Sequence, residues 1–301
     1  MHYLLQLLVI FGLVALGTVK TTIQGRICKK HLKNTQDTLL YNAQVFAFIS
    51  LVMVVLFGVS VPDATLILFA VICAVANLLF QCTYSAALSA GPVSLTVLII
   101  NFNVLVTTGV RIVFFGEKLY LTQIAGIILL LVSFVLSTAK SENDKKGSIK
   151  WLVLTVTASL STAVGAVLQK IYGKMPTEVE NSDTTFFFFL YFIACLIGLA
   201  IIAVRRYTVN EKITSGLAGH ILLPTLVIGV VLGVYQKLNM FAMVNIDGAV
   251  LFPTYAGLAS LAMTLIGVAM FKDTLSKKQI VGVACGVACI VLMNIRVGVH
   301  F

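Results

Sequence analysis

The chain has 301 residues, 59% of them hydrophobic and 11% charged, with a mean hydropathy of +1.05. Soluble domains carry about 25% charged residues, so a water-soluble fold is excluded. The net charge of +10 is scattered over short polar stretches such as Arg26/Lys29/Lys30/Lys33 and Lys145/Lys146/Lys150, which suits anionic lipid headgroups and calls for no nucleic-acid partner.

A membrane-crossing chain must be helical or a closed barrel, because no water satisfies its backbone groups. Barrel strands run about ten residues with strict alternation. The apolar runs here are about twice that length, close to the 20 residues that span a bilayer core. The expectation is an all-α polytopic membrane protein of ten transmembrane helices, at about 3–22, 40–60, 65–88, 93–114, 119–139, 151–171, 185–204, 218–240, 248–270 and 278–296. The first run has no basic leader and no small-residue cleavage site, so it reads as a span and not a signal peptide.

Polar residues within these runs are the candidates for function, since an unsatisfied polar group in hydrocarbon is costly. In the first span Lys20 sits near the expected end, with Gln24 one turn on. The third span carries Asn77, Gln81 and Tyr84, whose i, i+4, i+7 spacing puts them on one face. The fourth carries Asn101 and Asn103 near mid-membrane, and Arg111 close to its end. Glu117, in the next turn, is placed to cap a helix start. The most polar connection, Lys140–Lys150, divides the chain into a first unit (1–140), a polar loop (141–150) and a second unit (151–301).

In the second unit, Gln169 and Lys170 end the sixth span and mirror Lys20. Phe186–Phe189 open the seventh and read as an interfacial aromatic belt. The eighth holds Tyr235, Gln236, Lys237 and Asn239. Lys237 lies about two-thirds of the way across its expected span, with no acid in a neighbouring span, so it is expected to face an anionic solute. The ninth holds Pro253, Thr254 and Tyr255, and Asp273 mirrors Glu117. Gly229-Val-Val-Leu-Gly233 and Gly282-Val-Ala-Cys-Gly286 are small-xxx-small patterns suited to close helix packing, and the second would also suit a homodimer through the last helix. The site residues expected to contact solute are Lys20, Asn77, Gln81, Tyr84, Asn101, Lys170, Tyr235, Gln236, Lys237 and Tyr255.

The two units repeat. A constant shift of 156 residues pairs Ala86 with Ala242, Thr108 with Thr264, Gln123 with Gln279, Gly126 with Gly282 and Gln81 with Lys237. Five spans per copy is an odd number, so the copies would enter the membrane in opposite senses. Inverted repeats of this kind place a solute site at their interface near the midplane.

Phe115-Gly-Glu-Lys-Leu119, then Gln123 and Gly126, with a weaker echo in Phe271-Lys-Asp-Thr-Leu275, Gln279 and Gly282, resembles the end of a repeat in the drug/metabolite transporter superfamily, EamA-like branch. The resemblance implies a ten-helix basket with helices 1, 3, 4, 6, 8 and 9 around a cavity, helices 5 and 10 peripheral, and cytosolic termini. The charge bias of the connections points to the opposite orientation, because nearly all Lys and Arg fall on the side away from the termini. Such transporters carry nucleotide sugars, amino acids, phosphorylated sugars and drugs, so the fold does not set the cargo.

The expected function is a secondary transporter in the cell membrane that moves a small anionic or zwitterionic metabolite by alternating access. With no membrane-embedded acid to carry a proton, exchange or facilitated diffusion is expected. The alternatives are a proton-coupled drug or cation exporter of the same fold, and a non-transporting scaffold. No enzyme, cofactor or metal is expected: His2, His31, His220 and His300 lie at ends or loops, and the six cysteines form no CxxC.

Overall fold

The computed structural model describes residues 3–100, 103, 106, 109, 120–138, 149–173, 175, 178–209, 212–246, 248–272 and 276–294. Among them ten α-helices form an all-α membrane protein: α1 Tyr3–Lys30, α2 Thr35–Val52, α3 Ala64–Ala90, α4 Val93–Ile100, α5 Leu121–Thr138, α6 Ile149–Tyr172, α7 Ser182–Thr208, α8 Leu217–Asn245, α9 Gly248–Phe271 and α10 Lys277–Asn294. Seven of these (α1, α2 with its extension, α3 and α6–α9) are long and apolar enough to cross a membrane. Asn101, Arg111, Glu117 and Asp273 lie outside the described residues, as do Phe115–Leu119 and the side chain of Lys170.

Local chemistry marks the helix ends. The Asn34 side chain accepts from Asp37 N (2.7 Å) to start α2, and Asp63 accepts from Leu66 N (2.7 Å) to start α3. Ser276 and Gln279 cap α10 reciprocally, each side chain accepting the other's backbone N–H. After Val52 the α2 backbone loosens into a π-helical turn, Met53–Phe57, which stops at Gly58 with φ +73°. The largest correction falls on α1. It runs to Lys30 and not to about residue 22, because Gln24, Ile27 and Cys28 are buried on one side while Arg26, Lys29 and Lys30 stay exposed on the other. Lys20 is therefore ten residues inside the helix end and only 7% exposed, not at an interface.

Helix packing follows an exchange rule. α3 packs on α6 as α8 packs on α1; α2 packs on α8 as α7 packs on α3; α9 packs on α1 as α4 packs on α6. α2–α7, α4–α9 and α5–α10 join counterparts directly. Swapping the first five helices for the last five preserves all of these pairings; α1–α3 packs more closely than its counterpart α6–α8. The 156-residue shift also carries α5 onto α10 end for end and α3 onto α8 within a few residues. It fails for α1, which ends at Lys30 while α6 ends at Tyr172.

The main core joins α2, α3, α7 and α8 through Phe46, Ile49, Leu66, Phe186, Phe187, Leu190 and Ile228. Phe186 and Phe187 are essentially inaccessible, and Phe186 stacks on Tyr172 with ring centres 4.5 Å apart. The expected interfacial belt is thus corrected: the start of that aromatic run is core packing. At one end of the bundle a buried carboxylate ties the halves together. Asp37 accepts from Thr214 N (2.8 Å), Thr214 Oγ1 (2.7 Å) and Lys33 N (3.1 Å), while Asn34 Nδ2 donates to Lys212 O (3.1 Å). The α1–α2 and α7–α8 connections therefore lie on the same side, as the span count requires.

Both glycine patterns are used within the chain. Gly282 O accepts from Ser133 Oγ of α5 (2.6 Å), and a Cβ on Gly286 would lie 3.0 Å from the same oxygen. A Cβ on Gly229 would lie 2.4 Å from Phe48 Cβ of α2, and one on Gly233 2.5 Å from Val52 Cγ1. Overpacking of this kind typically costs about 1–3 kcal/mol. Gly229→Ala is expected to lower the thermal stability of the purified protein. Gly219→Ala, on the same helix with open space around it, is expected to be neutral or stabilising, since Ala favours a helix over Gly by about 1 kcal/mol. Equal losses in both variants would contradict the packing described.

Candidate functional site

Where α1, α3, α4, α6, α8 and α9 converge they line a cavity of about 250 Å³, with Tyr191 of α7 also on its wall. No described residue of α2, α5 or α10 lines it. Of the ten candidates read from the sequence, Lys20, Asn77, Gln81, Tyr84, Tyr235, Gln236 and Tyr255 line this one space. Asn103, three residues past the described end of α4, joins them, as do Gln169 and Asn239.

The α1–α3 seam organises one wall. Lys20 Nζ stands 4.6 Å from the centre of the Tyr84 ring, and Tyr84 OH donates to Thr21 Oγ1 (3.3 Å). One turn on, Gln24 Nε2 donates to Ser85 Oγ (2.9 Å) and lies 3.4 Å from Gln81 Oε1. Among the described residues no carboxylate lies within ion-pair distance of Lys20. Placing a lysine charge at the centre of a membrane helix costs about 2.5–3.5 kcal/mol on insertion scales. A desolvated cation–π contact returns about 2 kcal/mol. The ring alone does not cover the cost of the charged form, and an anion in the cavity would supply the rest.

The opposite wall is aromatic. Tyr235 and Tyr255 stand with ring centres 6.3 Å apart, and Gln236 Nε2 donates to Tyr191 OH. Gly17 of α1 makes room for them, since a Cβ there would sit 2.9 Å from Tyr255 OH. Two buried cavity atoms, Thr18 Oγ1 and Asn77 Oδ1, have no hydrogen-bond partner. Among the described residues the wall thus offers one lysine amino group, amides and hydroxyls, and an orphaned acceptor on Asn77.

Lys237 is placed elsewhere. Its ammonium donates to Asp183 Oδ2 (2.6 Å) and Thr184 Oγ1 (2.7 Å) at the start of α7, and lies 5.5 Å from the centre of the Phe57 ring. The expectation that no acid reaches Lys237 is corrected. α7 begins at Ser182, so Asp183 occupies its first turn and complements the helix dipole as well as the lysine. Lys237 is not among the residues that line the cavity. Lys170 has its backbone in α6, next to Gln169 on the wall. The residues not anticipated are Tyr191, Thr18, Thr21 and Asp183.

Residues 7–139 match the EamA-like transporter family. The match bears out the resemblance drawn from the sequence and points to a membrane transporter of the drug/metabolite type. No curated protein matches the chain. A solved structure described only as "Crystal structure of protein" superimposes with a TM-score of 0.64 at 16% identity, covering 95% of this chain and 94% of the other. At that identity the likeness shows the fold alone, and it extends over nearly the whole chain.

The two lysines should separate experimentally. Both members of the Lys237–Asp183 pair are partly exposed, at 27% and 31%, so their coupling should be on the order of 1 kcal/mol or less. Lys237→Met and Asp183→Asn are expected to lower stability slightly and by the same amount, with no further loss in the double variant. Fully additive losses, measured by thermal unfolding, would show that the two do not interact.

Proposed function

We propose that the chain is a secondary transporter for a small anionic or zwitterionic metabolite in the cell membrane, with two five-helix halves rocking about the cavity. The observation that carries this reading is the cavity wall: a buried lysine amino group beside amides, hydroxyls and tyrosines, with none of the described carboxylates on it. A solute carboxylate would meet Lys20, and a hydroxyl or ammonium donor on the same solute would meet Asn77 Oδ1. Size supports a metabolite: about 250 Å³ falls below the roughly 300–1,000 Å³ of pockets for drug-sized ligands. The exchange rule in helix packing and the 156-residue register support two equivalent halves, with 1–140 and 151–301 as the units.

The alternative, a proton-coupled exporter of drugs or other cations, finds less support. Lys20 would repel a cation, and among the described residues the cavity offers no carboxylate to exchange it for protons. A pure scaffold would have no use for orphaned polar atoms inside a cavity.

A thermal-shift series on detergent-purified protein tests the reading, since a ligand at a hundred times its Kd stabilises the folded state by about 2.7 kcal/mol. Probes are gluconate, glutamine, glucose 6-phosphate and tetraphenylphosphonium. At least one of the first three is expected to stabilise the protein. Lys20→Met is expected to weaken that binding more than tenfold, which is about 1.4 kcal/mol, while Lys237→Met leaves it within a few-fold. Stabilisation by tetraphenylphosphonium alone would overturn the assignment.

A further inference from the structure

We propose that Lys20 is the proton carrier of this transporter: it takes up a proton as a solute carboxylate arrives and releases it as the solute leaves, so one proton accompanies each monoanion. This rests on the anionic-solute reading above and extends it to energy coupling, for which membrane transporters commonly use an embedded acid or histidine.

The placement of Lys20 carries the inference. It is 7% exposed, in the middle of α1, and lines the cavity. Its amino nitrogen lies 4.6 Å from the centre of the Tyr84 ring. The helices packed on α1 are α3, α8 and α9, and the titratable groups they bring to the cavity are Tyr84, Tyr235 and Tyr255. Tyr191 faces it from α7, and on α1 itself Cys28 is buried two turns on. None of these is a carboxylate or a second cation; Lys170, on α6, has its side chain outside the described residues. A buried charge without a partner neutralises itself rather than persisting. Lys237 provides the contrast, because Asp183 gives it a fixed counter-charge at 2.6 Å.

The step balances without electron transfer. The Lys20 amine plus one proton from water plus a carboxylate gives an ammonium beside that carboxylate. On release the carboxylate and the proton both depart to the same side. Arg cannot serve in place of Lys20, because guanidinium keeps its proton throughout.

The experiment is ¹⁵Nζ NMR of lysine-labelled protein in nanodiscs at neutral pH, with ionic strength held by a bulky sulfonate buffer. Sodium formate, the smallest carboxylate, is the probe. The Lys20 resonance is assigned by its loss in Lys20→Arg or Lys20→Gln, and Lys170→Met removes any contribution from the neighbouring lysine. The expected result is a neutral amine at Lys20 without formate, an ammonium with it, and uptake of one proton per formate bound. Lys20→Arg is expected to bind formate with no proton uptake, and Lys237 to remain an ammonium throughout. A Lys20 ammonium in the formate-free protein would overturn the proposal, as would an amine that stays neutral in saturating formate. Neither result would touch the metabolite series, so failure of coupling and failure of the solute reading are distinguishable.

Discussion

The Lys20 amino group rests against the face of Tyr84 where α1 meets α3. That contact sets the terms for the rest of the cavity. An amine that is to carry a proton this deep needs electron density around it, and the described residues supply a ring, hydroxyls and amides in place of an acid. The same seam holds Thr21 against Tyr84 and Gln24 against Gln81 and Ser85. These bonds orient the polar wall, so the groups left over point into the space between the halves. An acid at this place would close the circuit within the protein and leave nothing for a solute to complete.

The two ends of the bundle are built differently. At one end Asp37 gathers donors from both sides of the α1–α2 and α7–α8 connections, joining the first half to the second. At the other, Lys237 and Asp183 join α8 to α7 within the second half, with the Phe57 ring of the first half beside them. Ionic groups here do structural work at the ends of helices, where water and helix dipoles temper their cost. In the middle the described residues give Lys20 no carboxylate partner.

Much of this was legible in the sequence. Run length against bilayer thickness gave the spans, and the 156-residue register located helices from α3 onward. Asn77, Gln81 and Tyr84 share a wall because their spacing allows nothing else on a helix. What escaped has a common cause. In lipid both the outer surface and the core are apolar, so hydrophobicity does not say which side of a span faces inward. Phe186 and Phe187 therefore read as part of an interfacial belt although they are core. Tyr191 was hidden in the same Phe-rich run. Helix ends were the other weakness. α1 continues through Arg26 and Lys29 because those side chains project outward, and α7 starts early enough to include Asp183. Two residues of helix length decided whether Lys237 had a partner.

The glycines of α8 set a limit on motion. Gly229 and Gly233 bring α8 nearly onto the backbone of α2, a helix of the other half. Surfaces meshed that tightly resist sliding, because each step would drive Phe48 or Val52 into the opposing chain. The α2–α8 seam is therefore a stiff join between the halves. Under the rocking motion proposed above, this line is the axis that the two halves would keep.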